Sequence, residues 1–295
     1  MRQSLAATLP FALPFALAAS KLRLVAAGGA ITETVFALEA AGQLVGVDTT
    51  STYPQATRNL VSVGYMRTLS AEGVLSLAPT HLLATEDAGP PAVLRQLREA
   101  GVKVVVFDGA HRVEGMFGRV TQLGSLLGKE AQAKALLSTL QSDWAAALAH
   151  AQVGRAQRER LLKGRPMRVL FVMSHSLSQV LVAGTDSPAD RMIQYIGGQN
   201  AASGFSDYKP LTAEAAIAAA PDLILATQQG LKTAGGPGGL LRLPGLADTP
   251  AGRAQRVVAM DAPLLLGFGP RLPLAVRQLS DACTAALAGA APGAA

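Results

Sequence analysis

Cysteine, aromatic residues and charge are all scarce in this sequence. Its 295 residues include one cysteine (Cys283), 4% aromatic residues and 16% charged residues. A single cysteine excludes a disulfide-stapled scaffold, and 49% hydrophobic residues exclude an intrinsically disordered chain. The formal net charge is +6, but the 26 lysines and arginines form no run and are not interleaved with aromatic residues. We therefore expect no nucleic-acid partner.

Signatures of catalysis and of nucleotide binding are also missing. The sequence contains no GxGxxG, no Walker A loop, no GxSxG elbow and no HExxH. The four histidines are scattered rather than clustered as zinc ligands would be, and no pair of carboxylates stands out as an acid–base couple. These absences predict that the protein is not an enzyme.

The first 18 residues are typical of a signal peptide. Arg2 precedes an apolar stretch that ends in ALA at 16–18, a small-x-small cleavage signature. The stretch is too short to span a membrane comfortably, and Pro10 and Pro14 interrupt it. We therefore expect an exported, periplasmic protein that is cleaved near Ala18 and is not inserted in the membrane.

Short apolar runs alternate with helical periodicity on both sides of a central helical segment. Strands are predicted over 22–28, 44–47, 82–84, 102–107, 168–173, 223–226 and 256–260. Strands that alternate with helices predict βαβ units and parallel sheets. The fold class is therefore α/β, with two Rossmann-like lobes at 22–112 and 164–290 and a ligand cleft between them.

The segment 113–163 is predicted to be a single long linker helix between the lobes. Apolar residues recur there three or four positions apart, and no proline occurs before Pro166. A helix of this length would span about 75 Å at 1.5 Å per residue. Gly124, Gly128 and Gly154 mark positions at which it could bend.

The two halves contain an internal repeat. The segments 69–85 (LSAEGVLSLAPTHLLAT) and 211–227 (LTAEAAIAAAPDLILAT) are identical at eight of 17 positions, at a constant offset of 142. Alanine-rich composition alone would not match Glu72 with Glu214, or Pro79 with Pro221. The repeat therefore favours two homologous lobes.

A loop just before the first repeated helix carries the candidate site. It has the sequence VGYMRTL over 63–69, in which Arg67 follows Tyr65 by two residues. A neighbouring guanidinium favours the phenolate form of tyrosine. A phenolate is an axial ligand of haem iron in other proteins, although most loop tyrosines are packing or surface residues.

Two blocks of the first half, VGVDTTSTYP (45–54) and VGYMRTLSAEGVLSLAP (63–79), resemble the periplasmic haem-binding proteins of bacterial haem-uptake ABC transporters. Those proteins belong to the cobalamin, siderophore and haem class of substrate-binding proteins, in which a single rigid helix joins two α/β lobes. The resemblance extends over nearly the whole mature chain, including LVAG (181–184) and LGFGP (266–270). Its most specific part is the GYMR-LSAEG block.

The resemblance implies a role for each matching residue. It implies that Tyr65 is the axial ligand of ferric haem and that Arg67 is its hydrogen-bonding or charge partner. It also implies that Glu72 and Glu214, one on each lobe, dock onto arginines of a two-fold inner-membrane ABC permease dimer. Both glutamates also suit the first turn of a helix, where a carboxylate gains about 0.3–1 kcal/mol from the helix dipole.

The second lobe offers further candidates around FSDYKP at 205–210. The repeat offset maps Tyr65 onto Asp207 and Arg67 onto Lys209, so that Tyr208 lies one position out of register. We expect Tyr208 and Lys209 to face the cleft, over the porphyrin or near a propionate. His175 follows a predicted strand at its carboxyl end, the edge at which α/β sheets bind ligands. It is a possible second iron ligand, and a structural histidine is the alternative.

These observations predict a monomeric periplasmic protein that binds ferric haem through a tyrosinate and delivers it to an ABC importer without chemical turnover. A carrier of ferric siderophore or cobalamin is the alternative within the same class. An exported enzyme acting on a tetrapyrrole, and a haem sensor or chaperone without a transporter, are alternatives from other classes.

Overall fold

The computed structural model of the chain describes residues 22–109, 111–173 and 181–289. It confirms the predicted α/β class and the two-lobe architecture with a long helix between the lobes. The predicted signal peptide, 1–18, lies outside the described residues, and the lobe boundaries stay predictions. No helix of the described part is both long and apolar enough to cross a membrane.

Strands and helices alternate along most of the chain. The strands are β1 (Leu24–Ala27), β2 (Leu44–Val47), β3 (Val61–Ser62), β4 (His81–Thr85), β5 (Lys103–Phe107), β6 (Arg168–Met173), β7 (Leu181–Ala183), β8 (Gln199–Asn200), β9 (Tyr208–Pro210), β10 (Leu223–Thr227) and β11 (Val257–Met260). The helices are α1 (Gly29–Ala37), α2 (Ala71–Leu75), α3 (Pro91–Glu99), α4 (Val113–Leu127), α5 (Glu130–Leu161), α6 (Pro188–Tyr195), α7 (Ala213–Ala219), α8 (Gln228–Thr233), α9 (Gly236–Leu241), α10 (Pro250–Arg253), α11 (Ala262–Leu266) and α12 (Leu272–Leu287).

Each lobe is built on one sheet. The N-terminal sheet has the order β3-β2-β1-β4-β5 and is parallel, as predicted. The C-terminal sheet has the order β11-β10-β6-β7-β9, with β8 beside β6, and β7 is antiparallel to both of its neighbours. The expectation of parallel strands throughout is therefore wrong for this edge. Only residues 174–180 separate β6 from β7, whereas a parallel crossover needs a dozen or more.

The central strands are buried on both faces, which explains their continuous apolar runs. In β1, Leu24 and Ala26 pack into one hydrophobic cluster, and Val25 and Ala27 pack into another on the opposite face. The first cluster is shared by both lobes and by the linker helices. The other faces of the two sheets carry a separate cluster each.

The linker consists of two helices rather than the single helix predicted over 113–163. The helical conformation is interrupted between α4 and α5, where Gly128 adopts a left-handed conformation (φ 64°) and ends α4. Glycine takes this conformation without the steric penalty that a side chain would bring. Helix α5 still has 32 residues and a length of about 48 Å, and it packs against α12.

The internal repeat has the same local structure in both lobes. Ser70 caps α2 and Thr212 caps α7, each by accepting a hydrogen bond from a backbone N–H three residues later. Both helices are followed by an alanine with positive φ, Ala78 at 44° and Ala220 at 41°. A non-glycine residue rarely adopts this conformation, so the match supports two homologous lobes.

Candidate functional site

Tyr65 lies on a loop at the carboxyl edge of the N-terminal sheet. The backbone N–H of Thr49 donates to the carbonyl of Gly64 at 2.9 Å, and Gly64 itself has a φ of 87°. After this turn, Tyr65 leads into a short 3₁₀ turn that is closed by the Thr68 N–H at 2.9 Å from the Tyr65 carbonyl. The Tyr65 side chain is 41% exposed. Its phenol is therefore accessible to a ligand.

Arg67 pairs with an acidic residue of the neighbouring loop. Its Nη2 donates to Oδ2 of Asp87 at 2.9 Å. Two backbone hydrogen bonds hold the loops together, from Gly89 N–H to the Met66 carbonyl at 2.9 Å and from Leu69 N–H to the Gly89 carbonyl at 2.8 Å. Asp87, rather than Tyr65, is thus the partner of Arg67 in this structure.

His111 lies on the other side of Asp87. Its Nε2 is 3.9 Å from Asp87 Oδ2, and its ring meets Phe268 edge-on with centroids 5.8 Å apart. Burial lowers the pKa of His111, an effect that the Asp87 charge opposes. The neutral imidazole is therefore favoured. Among the residues that the structure describes, the buried Nδ1 has no hydrogen-bond partner.

Tyr208 belongs to the opposite lobe and is within electrostatic reach of the Tyr65 loop. It lies on β9, where its ring meets Phe171 edge-on with centroids 6.3 Å apart. Burial raises the pKa of Tyr208 to about 12. The Arg67 charge opposes this rise, whereas Asp87 and Tyr65 add to it. Tyr208 therefore stays a neutral phenol at physiological pH, and the charges of Arg67 and Asp87 reach it from the other lobe.

The other two candidates of the C-terminal lobe have different outcomes. Lys209 follows Tyr208 on β9 and points to the opposite side of the strand, because successive side chains alternate. Its Nζ lies 5.5 Å from the centroid of the Phe205 ring. The two side chains therefore do not point to the same side of β9, and the haem-binding role of Lys209 stays a prediction. His175 lies outside the described residues, and its ligand role stays a prediction.

A polar cavity of about 150 Å³ lies between the lobes, next to this group of residues. It is lined by Glu86, Gly109, His111, Arg112, Asp186, Ser187 and Arg191. The first four belong to the N-terminal lobe and the start of the linker, and the last three to the C-terminal lobe. Pockets for drug-sized ligands usually have volumes of about 300–1,000 Å³. The cavity is therefore one polar corner of the cleft rather than a complete binding site.

The lobes are tied together behind the cleft by buried charges. Glu33 of α1 accepts hydrogen bonds from the Arg271 guanidinium, with Nε at 3.0 Å from Oε2. The Arg271 guanidinium carbon also lies 3.9 Å from the centroid of the Tyr53 ring. Arg119 of α4 is 1% exposed and donates from Nη2 to the Phe268 carbonyl at 2.8 Å. These contacts fix the relative position of the two walls.

The chemistry of the site is that of ligand binding. Tyr65 offers an accessible oxygen donor, and the polar cavity brings two arginines, Arg112 and Arg191, together with two carboxylates, Glu86 and Asp186. No group of three or more His, Cys, Asp or Glu side chains in the described ranges could hold a metal ion.

Comparison with known proteins identifies the class. Residues 24–264 match the family of periplasmic binding proteins, and the chain belongs to that family. It is thus an extracytoplasmic substrate-binding protein of an ABC transporter, and the family resemblance predicted from the sequence is confirmed.

The chain is similar to solved periplasmic haem-binding proteins. It is 47% identical to BhuT, solved in complex with two haems, with a TM-score of 0.81 over 90% of this chain and 98% of BhuT. It is 39% identical to ligand-free RhuT from Roseiflexus sp. RS-1, with a TM-score of 0.83 over 90% and 99% of the two chains. Among curated proteins, it is 26% identical to the uncharacterised substrate-binding lipoprotein YvrC of Bacillus subtilis, over 85% of this chain and 76% of YvrC. Other curated relatives include vitamin B12-binding proteins, among them that of Vibrio vulnificus, 22% identical over 85% of each chain.

The sequence interpretation missed Asp87 and the cavity arginines Arg112 and Arg191. A usable signal was nevertheless present, because Asp87 lies two residues after β4 and Arg112 lies five residues after β5. Residues just beyond the carboxyl ends of parallel strands meet at one edge of the sheet. The partners Glu33 and Arg271 are 238 residues apart, and no local pattern links them.

Proposed function

We propose that the protein binds ferric haem between its lobes and carries it to an inner-membrane ABC permease. The observation that carries this proposal is the exposed Tyr65, two residues from Arg67 and within electrostatic range of Tyr208 of the other lobe, in a chain 47% identical to a haem-binding protein. Ferric iron favours a hard anionic oxygen ligand, and tyrosinate is a haem ligand in other proteins.

Each residue of the site has its own proposed role in binding. Tyr65 supplies a phenolate oxygen to the iron, and the Arg67 charge stabilises that phenolate. Tyr208 stays a protonated phenol and offers ring surface or an O–H donor from the other lobe. Arg112 and Arg191 bring positive charge from opposite lobes to the polar corner of the cleft, where they can pair with carboxylates of the cargo.

Titration of residues 19–295 with hemin tests the proposal by absorption spectroscopy. We expect saturable binding with a tyrosinate-type ferric spectrum, and the stoichiometry will show whether one haem or two are bound. Parallel titrations with cobalamin and with a ferric siderophore are the control. Saturable binding of either of these, with no saturable binding of hemin, would contradict the haem assignment.

A cobalamin or siderophore carrier is the second candidate within the class. Its support is the similarity of the chain to vitamin B12-binding proteins. The Tyr65 and Arg67 pair argues for haem instead, because an iron porphyrin offers an open axial position for a phenolate oxygen.

We further propose that the protein docks onto the permease through matching surfaces on its two lobes. The α2 surface consists of Glu72 and Leu75, and the α7 surface consists of Glu214 and Ile217. Leu75 and Ile217 are 37% and 42% exposed and are separated by the repeat offset of 142. In each helix a different residue faces the core, Val74 in α2 and Ala216 in α7. An acidic and apolar pair displayed at equivalent positions suits a two-fold partner with a basic rim.

Charge reversal on these surfaces is expected to impair delivery without impairing binding. Glu72→Arg and Glu214→Arg should each slow haem transport into proteoliposomes that contain the cognate permease and ATPase, because each places a like charge against the permease arginines. The double variant should transport least. Glu99→Arg, at an exposed position on α3, is the matched control. Unchanged transport by the double variant, with unchanged hemin affinity, would contradict the docking surfaces.

The location and assembly of the protein follow from this role. We propose that the signal peptide is removed near Ala18 and that the mature chain works as a monomer in the periplasm. A monomer leaves both the α2 surface and the α7 surface available to a single permease dimer.

A further inference from the structure

Asp87 lies between two potential cations of the cleft, Arg67 and His111. The same oxygen, Oδ2, accepts the hydrogen bond from Arg67 Nη2 at 2.9 Å and lies 3.9 Å from His111 Nε2. Because burial favours the neutral form of His111, Arg67 is the charged partner of this carboxylate. The contact between Arg67 and Asp87 is also the shorter of the two, and it is within hydrogen-bond distance.

The backbone fixes Asp87 relative to the Tyr65 loop. Just after Asp87 in the sequence, the hydrogen bonds from Gly89 to Met66 and from Leu69 to Gly89 join the two loops. Just before Asp87 in the sequence, the Thr85 hydroxyl lies 3.6 Å from the Met66 sulfur. The Asp87 carboxylate is therefore held beside Arg67 by contacts that do not involve either of their side chains.

Asp87 occupies only one edge of the guanidinium. An arginine side chain has five N–H donors in a fixed fork, and Asp87 takes one from Nη2. Within the described residues no other hydrogen-bond partner of the Arg67 side chain is present, and the side chain is 53% exposed. Its remaining donors are therefore free to interact with a group in the cleft.

We propose that Asp87 is a positioning residue for the iron-binding site: it holds the guanidinium of Arg67, on the Tyr65 loop, in place before the cargo arrives, and it acts on binding through Arg67. This inference rests on the proposed function. Ordering a long arginine side chain in advance removes an entropy cost that would otherwise reduce affinity. Residues that orient a ligand's partner in this way typically change metal-site affinity by about 10–100-fold when they are replaced.

A double-mutant cycle with hemin tests the proposal. The four proteins are the wild type, Asp87→Asn, Arg67→Ala and the double variant. Asp87→Asn is expected to weaken hemin affinity by about tenfold and to shift the tyrosinate charge-transfer band. In the Arg67→Ala background the same change is expected to alter affinity by less than about twofold, because the residue through which Asp87 acts is gone. Asp87→Glu should restore part of the affinity.

Two further measurements separate this role from a structural one. Asp143→Asn, at an exposed position on α5, is the matched control for affinity, and thermal unfolding checks that each variant folds. In the ligand-free protein, the NMR signals of the Arg67 Nη–H groups should move or broaden in Asp87→Asn, because Nη2 donates to Asp87. These signals need no haem.

Several results would overturn the proposal. Asp87→Asn could weaken binding equally with and without Arg67, which would show that Asp87 acts independently. It could instead tighten binding, which would make Asp87 a competitor for Arg67. Unchanged Arg67 Nη–H signals would contradict the pairing itself. Failure of the wild type to bind hemin would overturn the proposed function and with it the role of Asp87 in haem binding, whereas altered Nη–H signals would still confirm the Asp87–Arg67 pair.

Discussion

Replacing Tyr65 with phenylalanine is expected to lower the hemin affinity by more than about 100-fold and to abolish the tyrosinate absorption bands. The change removes only the phenol oxygen, which is the proposed bond to iron, and keeps the ring. Replacement of residues that merely support a metal ligand costs about 10–100-fold, so that loss of the ligand itself should cost more. Hemin titration followed by absorption spectroscopy measures both effects.

Tyr208→Phe is the matched control for this prediction. It makes the same chemical change on the opposite wall, at a phenol whose pKa burial raises to about 12. Because that phenol is hard to ionise, the tyrosinate spectrum should persist in Tyr208→Phe. A tyrosinate spectrum that survives in Tyr65→Phe and disappears in Tyr208→Phe would transfer the ligand role to the second lobe.

Arg271→Ala is expected to destabilise the protein by about 3–5 kcal/mol, because it leaves the Glu33 carboxylate buried without its partner. Glu33 is 6% exposed in the ion pair. Burial raises the pKa of Glu33, and Arg271 opposes that rise. Without Arg271, the ionised carboxylate destabilises the folded state above the raised pKa, and protonation relieves the effect as pH falls. Urea denaturation at pH 8 should therefore show a larger loss than at pH 5.

Two variants check the origin of this effect. Arg155→Ala breaks an exposed ion pair with Glu159 on α5 and should cost at most about 1 kcal/mol. Adding Glu33→Gln to Arg271→Ala removes the unpaired charge and should recover part of the lost stability. If the double variant is no more stable than Arg271→Ala at pH 8, the loss comes from packing rather than from the buried charge.

The features that could be predicted from the sequence are those with a local pattern. The strands β1, β4, β6 and β10 are buried on both faces, and their continuous apolar runs indicated them. The repeat indicated the helices that carry Glu72 and Glu214. The interruption of the linker at Gly128 could not be predicted from the sequence, because glycine within a helical pattern is compatible with both a bend and a straight helix. It is seen only in the left-handed backbone conformation of Gly128.

The parts that could not be predicted depend on distant residues or on register. The strands β7 and β9 are three residues each, and their antiparallel pairing is set by the short connection after β6. Because β9 is an extended strand, Tyr208 and Lys209 lie on opposite sides of it. The resemblance implies that Arg67 is the partner of Tyr65, whereas the structure pairs Arg67 with Asp87, 20 residues away.

The hydrophobic cluster that both lobes share has a consequence for how the chain folds. Residues of β1, of the linker helices and of α12 all contribute to it. A lobe made alone would leave its share of this apolar surface in water, at about 25 cal/mol for each Å². We therefore expect the two lobes to fold together rather than as independent units. The cleft would then form only in the fully folded chain, because each of its walls depends on apolar surface that the other lobe helps to cover.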